Sequence, residues 1–142
     1  MKRITLFLPL AFLMILSCGK EEEKFETFGP QAFAYDLDST WEVNAMVNVR
    51  GFEQRENSND PGLTTSLSYS VDVITPKGKK LENIYSDNID FNMLDKVSDT
   101  PVEAQFNLDT TYASGKYEAI FNIKDNNSGR TTTGKAVFDL TK

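Results

Sequence analysis

The stretch TWEVNAMVNVR, Thr40 to Arg50, decides the fold class of this chain. Its odd positions carry apolar side chains from Trp41 to Val49, whereas its even positions are polar except at Met46. Side chains of a β-strand alternate between the two faces of a sheet, so this period of two predicts a strand with one buried and one solvated face. The turn-forming segment ENSNDPG, residues 56–62, ends this stretch.

The same alternation recurs on both sides of this stretch, and no segment shows the apolar stripe of a helix. The six further predicted strands are AFAYDL (32–37), LTTSLSYSVDVITP (63–76), NIYSDNIDFNML (83–94), VEAQFNL (102–108), KYEAIFNIK (116–124) and RTTTGKAVFDL (130–140). About seven strands at this spacing predict an all-β chain that folds as one antiparallel β-sandwich. The residues expected to share its core are Val43, Val47, Val71, Phe106, Phe121 and Phe138.

The C-terminal part of the chain, residues 108–140, carries a family resemblance. It combines Gly115-x-Tyr117 at the start of a strand, a hairpin from Asp125 to Arg130, and a closing strand with the aromatic Phe138. This combination resembles the end of bacterial immunoglobulin-like or fibronectin-like modules. The resemblance implies a single immunoglobulin-like β-sandwich over residues 31–142. It implies no activity, because such folds carry many unrelated functions.

Composition limits the chemistry that the chain can perform. Hydrophobic residues make up 39% and aromatic residues 11% of the 142 residues, which supports one folded domain with its own core. The chain has no histidine and a single cysteine. It therefore lacks the commonest general base and metal ligand, and it cannot form an internal disulfide, a zinc cluster or a Cys-His pair. We expect a protein that is not an enzyme and has no cofactor.

The charge of the chain bears on its partners. The formal net charge is −6, and the Lys and Arg residues are scattered along the sequence. Nucleic-acid-binding proteins need clustered cations to neutralise phosphates. We therefore expect no nucleic-acid partner.

The N-terminal segment MKRITLFLPLAFLMILS, residues 1–17, has the three parts of a signal peptide. Lys2 and Arg3 precede an apolar run, and the small Ser17 ends the segment. The apolar run of 4–16 would span about 20 Å as a helix, short of the roughly 30 Å of a bilayer core. The segment is therefore predicted to be a cleaved signal peptide and not a transmembrane helix.

The only cysteine of the chain follows this segment directly. The residues Ile15-Leu16-Ser17-Cys18 resemble the lipobox of bacterial lipoproteins, although that family usually has a small residue where Leu16 stands. The resemblance implies that Cys18 is diacylated and becomes the mature N-terminus, so that acyl chains hold the protein in a membrane. The alternative is an ordinary secretory signal peptide with an incidental cysteine.

A charged segment follows the cysteine. Lys20, Glu21, Glu22 and Glu23 resemble the short acidic export signal of surface lipoproteins in the Bacteroidetes group. The resemblance implies an outer-membrane lipoprotein displayed on the cell surface. A periplasm-facing lipoprotein is the alternative, and the charged run is then only a solvated tether. Residues 18–30 are predicted to form this lipidated cysteine and flexible acidic tether.

Two groups of polar residues are weak candidates for a calcium site. Asp125 and Asn127 lie in the turn DNNSG, and Asp87 and Asp90 lie in SDNIDFN. Hard cations take six to eight oxygen ligands, usually with a bidentate acid late in the loop, and here the twelfth position is Ala136. Asp-Asn-Gly turns form without metal, so the sequence favours ordinary turns.

Four aromatic residues near strand ends or in loops are candidate ligand contacts: Tyr35, Phe52, Tyr85 and Tyr112. Exposed rings offer large contact areas to protein or glycan partners. Trp41, by its period, is expected in the core instead.

The sequence therefore leads to a functional hypothesis with one alternative. The hypothesis is a non-catalytic binding or accessory lipoprotein whose partner is an envelope protein or an extracellular glycan. The alternative is a purely structural envelope component that packs in a larger membrane-associated complex. A glycan binder should keep exposed aromatic rings after folding, whereas a structural component should show an apolar patch or an unpaired edge strand.

Overall fold

The computed structural model describes residues 23–141, and in this part of the chain the regular structure consists of β-strands. The strands are β1 (Glu26–Asp36), β2 (Thr40–Arg50), β3 (Arg55–Glu56), β4 (Leu63–Ile74), β5 (Lys80–Met93), β6 (Asp99–Asp109), β7 (Gly115–Asp125) and β8 (Thr131–Leu140). Nowhere in residues 23–141 does a helix have the length and apolar character needed to cross a membrane.

The strands form two antiparallel sheets that pack face to face. The small sheet has the order β1-β2-β6. The large sheet has the order β3-β4-β7-β8, and β5 pairs with β4 along its other edge. The chain crosses between the sheets after β2, after β5 and after β6, because consecutive strands at those points belong to different sheets. This arrangement confirms the predicted all-β sandwich, with seven long strands and the two-residue β3.

The core lies between the two inner faces. All six residues that the sequence assigns to it are buried, and Trp41 is only 2% exposed. Aromatic rings fill the centre: Tyr117 stacks on Phe138 with centroids 5.5 Å apart, and Tyr69 stacks on Phe121 at 6.5 Å. The strict alternation of buried and half-buried positions in β2, up to the exposed Arg50, follows from the pleat of the strand.

A tyrosine fixes the connection between β6 and β7. The buried hydroxyl of Tyr117 donates a hydrogen bond of 2.7 Å to the carbonyl of Ala113. Burial raises the pKa of this hydroxyl above its ordinary value, so it remains a donor. A tyrosine near the start of this strand that bonds to backbone just upstream is a hallmark of immunoglobulin-like sandwiches.

The first strand begins earlier than its sequence pattern predicts. β1 starts at Glu26 and pairs with β2 from there, so residues 26–30, expected in the tether, belong to the sheet. The register shifts between Phe28 and Gln31, where Gly29 has a φ of 58°. The Gly29-Pro30 pair is therefore a β-bulge in an edge strand and not the end of a linker, because an edge strand tolerates proline.

Candidate functional site

The chain enters the sandwich at one end, which we call the N-terminal pole. It comprises residues 23–25, the loop 51–54 after β2, and the β7–β8 hairpin, 125–130. The hairpin and the loop meet there because Asp125 and Arg130 both bond to backbone of residues 51–53. The turns after β1, β4 and β6 lie at the opposite pole.

Asp125 organises the N-terminal pole. Its carboxylate is fully buried and accepts hydrogen bonds from the Glu53 amide at 2.8 Å, the Asn127 amide at 3.0 Å and the Ser128 hydroxyl at 2.6 Å. Asn127 turns its side-chain amide the other way and donates to the carbonyls of Glu53 and Thr64. The Asp125 carboxylate and the Asn127 side-chain NH2 group are therefore engaged by protein groups, and they link the hairpin to the loop after β2 and to β4.

Arg130 holds the N-terminal segment against the hairpin. Its guanidinium donates to the carbonyls of Glu23 at 3.1 Å and Gly51 at 2.6 Å, and it lies 5.6 Å from the ring centroid of Phe25. Gly51 has a φ of 76°, and a Cβ there would collide with the carbonyl of Lys24. Only glycine allows the two segments to approach this closely.

A cleft of about 590 Å³ opens at the N-terminal pole. The charged groups that line it include Glu23, Glu53, Arg55, Lys96 and Arg130. Arg55 bonds to Glu53 at 2.7 Å, and the Lys96 ammonium lies 3.4 Å from the Glu23 carboxylate. Because these four charges form two pairs and Arg130 is bound to backbone carbonyls, most charged groups of the cleft are already engaged by protein groups.

Of the residues predicted to form the export signal, Glu23 lies within the described part of the chain. Cys18, Lys20, Glu21 and Glu22 lie outside the described residues. Glu23 is described, and both its backbone carbonyl and its carboxylate contact the domain.

The remaining calcium candidates lie on β5. Asp87 accepts a hydrogen bond from the Asn88 amide at 2.8 Å, and the Tyr85 hydroxyl lies 3.4 Å from its other oxygen. Asp90 is exposed on the same strand. Within residues 23–141, no three His, Cys, Asp or Glu side chains converge on a point where a metal ion would fit.

A second buried carboxylate belongs to the large sheet. Asp72 accepts from the Asn83 amide at 2.8 Å, the Asn122 side chain at 2.9 Å and the Lys80 ammonium at 3.0 Å. Burial by itself would raise the pKa of Asp72, but these donors outweigh burial and lower the pKa below its ordinary value. The bond to Asn83 also holds the irregular pairing of β5, where Asn83 has a φ of 50°.

Three of the four aromatic candidates are wholly or partly buried by the fold. Phe52 is only 5% exposed and packs edge-on against Phe91, so its ring is not free in the loop as the sequence suggested. Its position after β2 directs the ring under β5 and into the core. Tyr85 is half-buried beside Tyr69, and Tyr112 is half-buried against the core. Neither presents a free ring.

Tyr35 is the candidate that faces solvent, and the structure adds a second ring beside it. Phe33 and Tyr35 are 57% and 55% exposed on the outer side of β1. They stand opposite Asn44 and Glu42 of β2. The alternate residues Ala32 and Ala34 pack against the core instead. We call the outer side of β1, β2 and β6 around these two rings the aromatic face.

Amide groups and a groove adjoin the rings. A groove of about 270 Å³ is lined by Gln31, Phe33, Asn44, Ala45, Met46, Glu103 and Gln105. The side-chain amide of Asn44 donates a hydrogen bond of 3.1 Å to the Glu42 carboxylate, and this bond fixes the orientation of the Asn44 side chain. The register places Gln105 of β6 directly beyond Asn44. Three neighbouring strands thus present aromatic carbon and hydrogen-bonding groups on one surface.

The aromatic face has no cationic side chain. Neither β1 from Gln31, nor β2 before Arg50, nor β6 contains Lys or Arg. Arg50, at the margin, bonds to Glu26 at 2.6 Å and lies 5.3 Å from the ring centroid of Phe28. The charged groups within the face are carboxylates, among them Glu42 and Glu103.

Sequence reasoning missed Phe33, although a signal for it exists. In AFAYDL the small and the aromatic residues alternate, so one set must face out. In the structure the alanines pack against the core and the aromatic residues face out.

Comparison with known proteins adds no family to this picture. No family model matches the chain, and no curated protein matches it in sequence.

Proposed function

We propose that this protein is a non-catalytic binding module, held in the bacterial outer membrane by lipid on Cys18 and displayed on the cell surface. The aromatic face is its contact surface. The observation that carries the proposal is the exposure of Phe33 and Tyr35, two large rings on adjacent outward positions of one strand. Exposed aromatic groups of this kind are enriched where proteins bind partners.

The carboxylates of the described domain support a role without catalysis. A catalytic acid or base needs a perturbed pKa and room for a reacting group beside it. The two buried carboxylates within residues 23–141, Asp72 and Asp125, are instead engaged by several protein donors each.

The length of the tether supports a fixed placement of the domain at the membrane. Glu23 is already bound to Arg130 and Lys96, so only residues 19–22 separate the lipidated cysteine from the folded domain. Five Cα steps span at most about 17 Å. The N-terminal pole would therefore lie close to the lipid, whereas the aromatic face runs along the side of the sandwich.

Lipidation is tested with Cys18→Ser. Incorporation of labelled palmitate and sedimentation with membranes should both depend on Cys18. Labelling that persists in Cys18→Ser would contradict the anchor.

Surface display is tested by comparing two variants. Glu21→Ala with Glu22→Ala should reduce digestion of the protein by protease added to whole cells, while total protein stays constant. Glu23→Ala is the matched comparison, because Glu23 also contacts Lys96 of the domain. Unchanged digestion in the first variant would favour the periplasm-facing alternative.

Binding is tested with a photoreactive benzoylphenylalanine placed at position 33 in living cells. The matched control carries the same group at position 137, because Val137 is 43% exposed on the outer side of β8. Irradiation should give adducts from position 33 and few from position 137. Equal adduct yields from the two positions would contradict the aromatic face as the contact surface.

A structural envelope component remains the second candidate, and one observation favours it. Met93 and Leu94 are 50% and 78% exposed where β5 ends, at the N-terminal pole. An exposed apolar pair this close to the lipid suits packing against another envelope protein. If Leu94→Ser, and not Phe33→Ala, releases the protein from a membrane complex, this second function is the correct one.

A further inference from the structure

We infer that the ligand of the aromatic face is a neutral glycan chain that lies along β1. The inference rests on the proposed binding function and names the class of ligand. It follows from three properties of the face: the spacing of its rings, the kind of its polar groups and the sign of its charge.

The rings are spaced for a chain of repeating units. Phe33 and Tyr35 are two residues apart on one strand, so their Cα atoms are about 7 Å apart. Phe28 lies on the same outer side, about 20 Å from Tyr35 along the paired register. The negative face of an aromatic ring attracts the C–H groups of a sugar ring, and close carbon contacts add dispersion energy. Phe33 and Tyr35 can therefore hold successive sugars of one chain, whereas Arg50 covers one face of the Phe28 ring.

The polar groups beside the rings suit hydroxyl ligands. An amide side chain has two donors and an oxygen with two lone pairs, so it can bond to a hydroxyl in either sense. Asn44 uses one of these four positions for Glu42, which fixes the orientation of the others. Gln31 and Gln105 line the same groove. Amides and carboxylates held beside exposed rings match the alternating C–H and O–H surfaces of a sugar.

The charge of the face selects against anionic ligands. Glu42 and Glu103 lie near the rings, and apart from Arg50 at the margin the strands β1, β2 and β6 contain no Lys or Arg. Arg50 is occupied by Glu26 and Phe28. An acidic polysaccharide or an anionic lipid surface would therefore meet repulsion without a compensating cation.

The carboxylates of Glu42 and Glu103 also make the aromatic face less suited to a protein partner than to a glycan. Protein interfaces of standard size bury about 800 Å² on each partner, and their centres are depleted in Glu. Here Glu42 and Glu103 lie beside the only two strongly exposed rings of the described residues, Phe33 and Tyr35. A groove of about 270 Å³ is closer in size to a site for a small or linear ligand.

The test is affinity electrophoresis of the full-length lipoprotein in detergent, through gels that contain starch, xylan, mannan or mixed-linkage β-glucan. We expect at least one of these neutral polysaccharides to retard the protein, and raising the salt from 0.1 to 1 M should leave the retardation unchanged. Phe33→Ala with Tyr35→Ala should weaken binding at least tenfold. Val137→Ala, on the outer side of the large sheet, should leave binding as it is.

Several outcomes would overturn the inference. It fails if no neutral polysaccharide retards the protein, if polygalacturonate binds more tightly than every neutral polymer, or if the double variant binds as well as the original. If the polysaccharides fail while the benzoylphenylalanine at position 33 still gives protein adducts in cells, only the glycan is wrong and the proposed binding function stands. If the position-33 adducts are also lost, both proposals fail.

Discussion

The N-terminal pole and the aromatic face differ in how far their side chains are engaged by the fold. At the pole, the Asp125 carboxylate accepts from three different residues and the Arg130 guanidinium reaches two backbone carbonyls. On the aromatic face, Phe33 and Tyr35 project into solvent beside amide groups. The polar groups of the pole join loops to one another, whereas the rings of the aromatic face make few contacts within the fold.

The difference separates stability from binding. A buried polar group that is fully paired contributes to stability and becomes costly when its partner is removed. A ring that is more than half exposed buries little area and contributes little to the fold. Substitutions at the pole should therefore change the free energy of unfolding, and substitutions on the aromatic face should change binding.

Asp125→Ala should have the largest effect. It leaves the Glu53 and Asn127 amides and the Ser128 hydroxyl without their acceptor, so we expect a loss of about 3–5 kcal/mol in the free energy of unfolding. Urea denaturation measures this loss. Asp90→Ala is the control, because Asp90 is exposed on β5 and its loss should change stability by less than about 0.5 kcal/mol. Equal losses in the two variants would remove the distinction between the regions.

Arg130→Ala should have the next largest effect. It removes charge-assisted bonds to Glu23 and Gly51, so we expect a loss of about 2 kcal/mol. Hydrogen exchange should show faster exchange at the first residues of β1. Lys135→Ala breaks only a surface ion pair with Glu118, so it should change neither the free energy of unfolding nor the exchange of the β1 amides. Protected amides at β1 in Arg130→Ala would contradict the role of this side chain.

Acid should destabilise the protein through Asp72, which is paired like Asp125 but lies away from both regions. The folded pKa of Asp72 is lowered below its ordinary value of 3.8, so its contribution is fully present above that pH. The contribution is lost as the pH falls through the lower folded pKa, because the protonated carboxyl no longer attracts Lys80. Between pH 5 and pH 2, the free energy of unfolding measured by urea denaturation should therefore fall less steeply in Asp72→Asn than in the original protein. Parallel slopes would contradict this assignment.

Phe33→Ala and Tyr35→Ala should have the smallest effect on stability. Each ring is more than half exposed, so we expect changes within about 0.5 kcal/mol, far below the effect of Asp125→Ala. A loss above about 2 kcal/mol for either ring would mean that the aromatic face is part of the packing.

The alternation of residues allowed the fold to be predicted from sequence, and the same alternation left the site undetermined. In β2 the choice of face is forced, because Trp41 and Val43 oppose Glu42 and Asn44. In AFAYDL both faces are uncharged over the first four positions, so the pattern gives two solutions. Packing against the core decides between them.

Long-range contacts explain the other errors. The tether appeared to end at Gly29-Pro30 because these residues break strands locally, but β2 pairs with β1 on both sides of the bulge. Phe52 follows a glycine in a loop, which suggests exposure, yet β5 covers it through Phe91. Neither partner is near in sequence, so local pattern could not identify them.

If the aromatic face is a contact surface, it is occupied in the cell, and hydroxyl-radical footprinting measures this occupancy. Oxidation of Phe33 and Tyr35 is compared between intact cells and the purified full-length protein, with oxidation at Leu37, 49% exposed in the turn after β1, as the internal reference. We expect Phe33 and Tyr35 to be protected from oxidation in cells, while Leu37 is oxidised equally in both samples. Equal oxidation of the two rings in cells and in the purified protein would contradict this expectation.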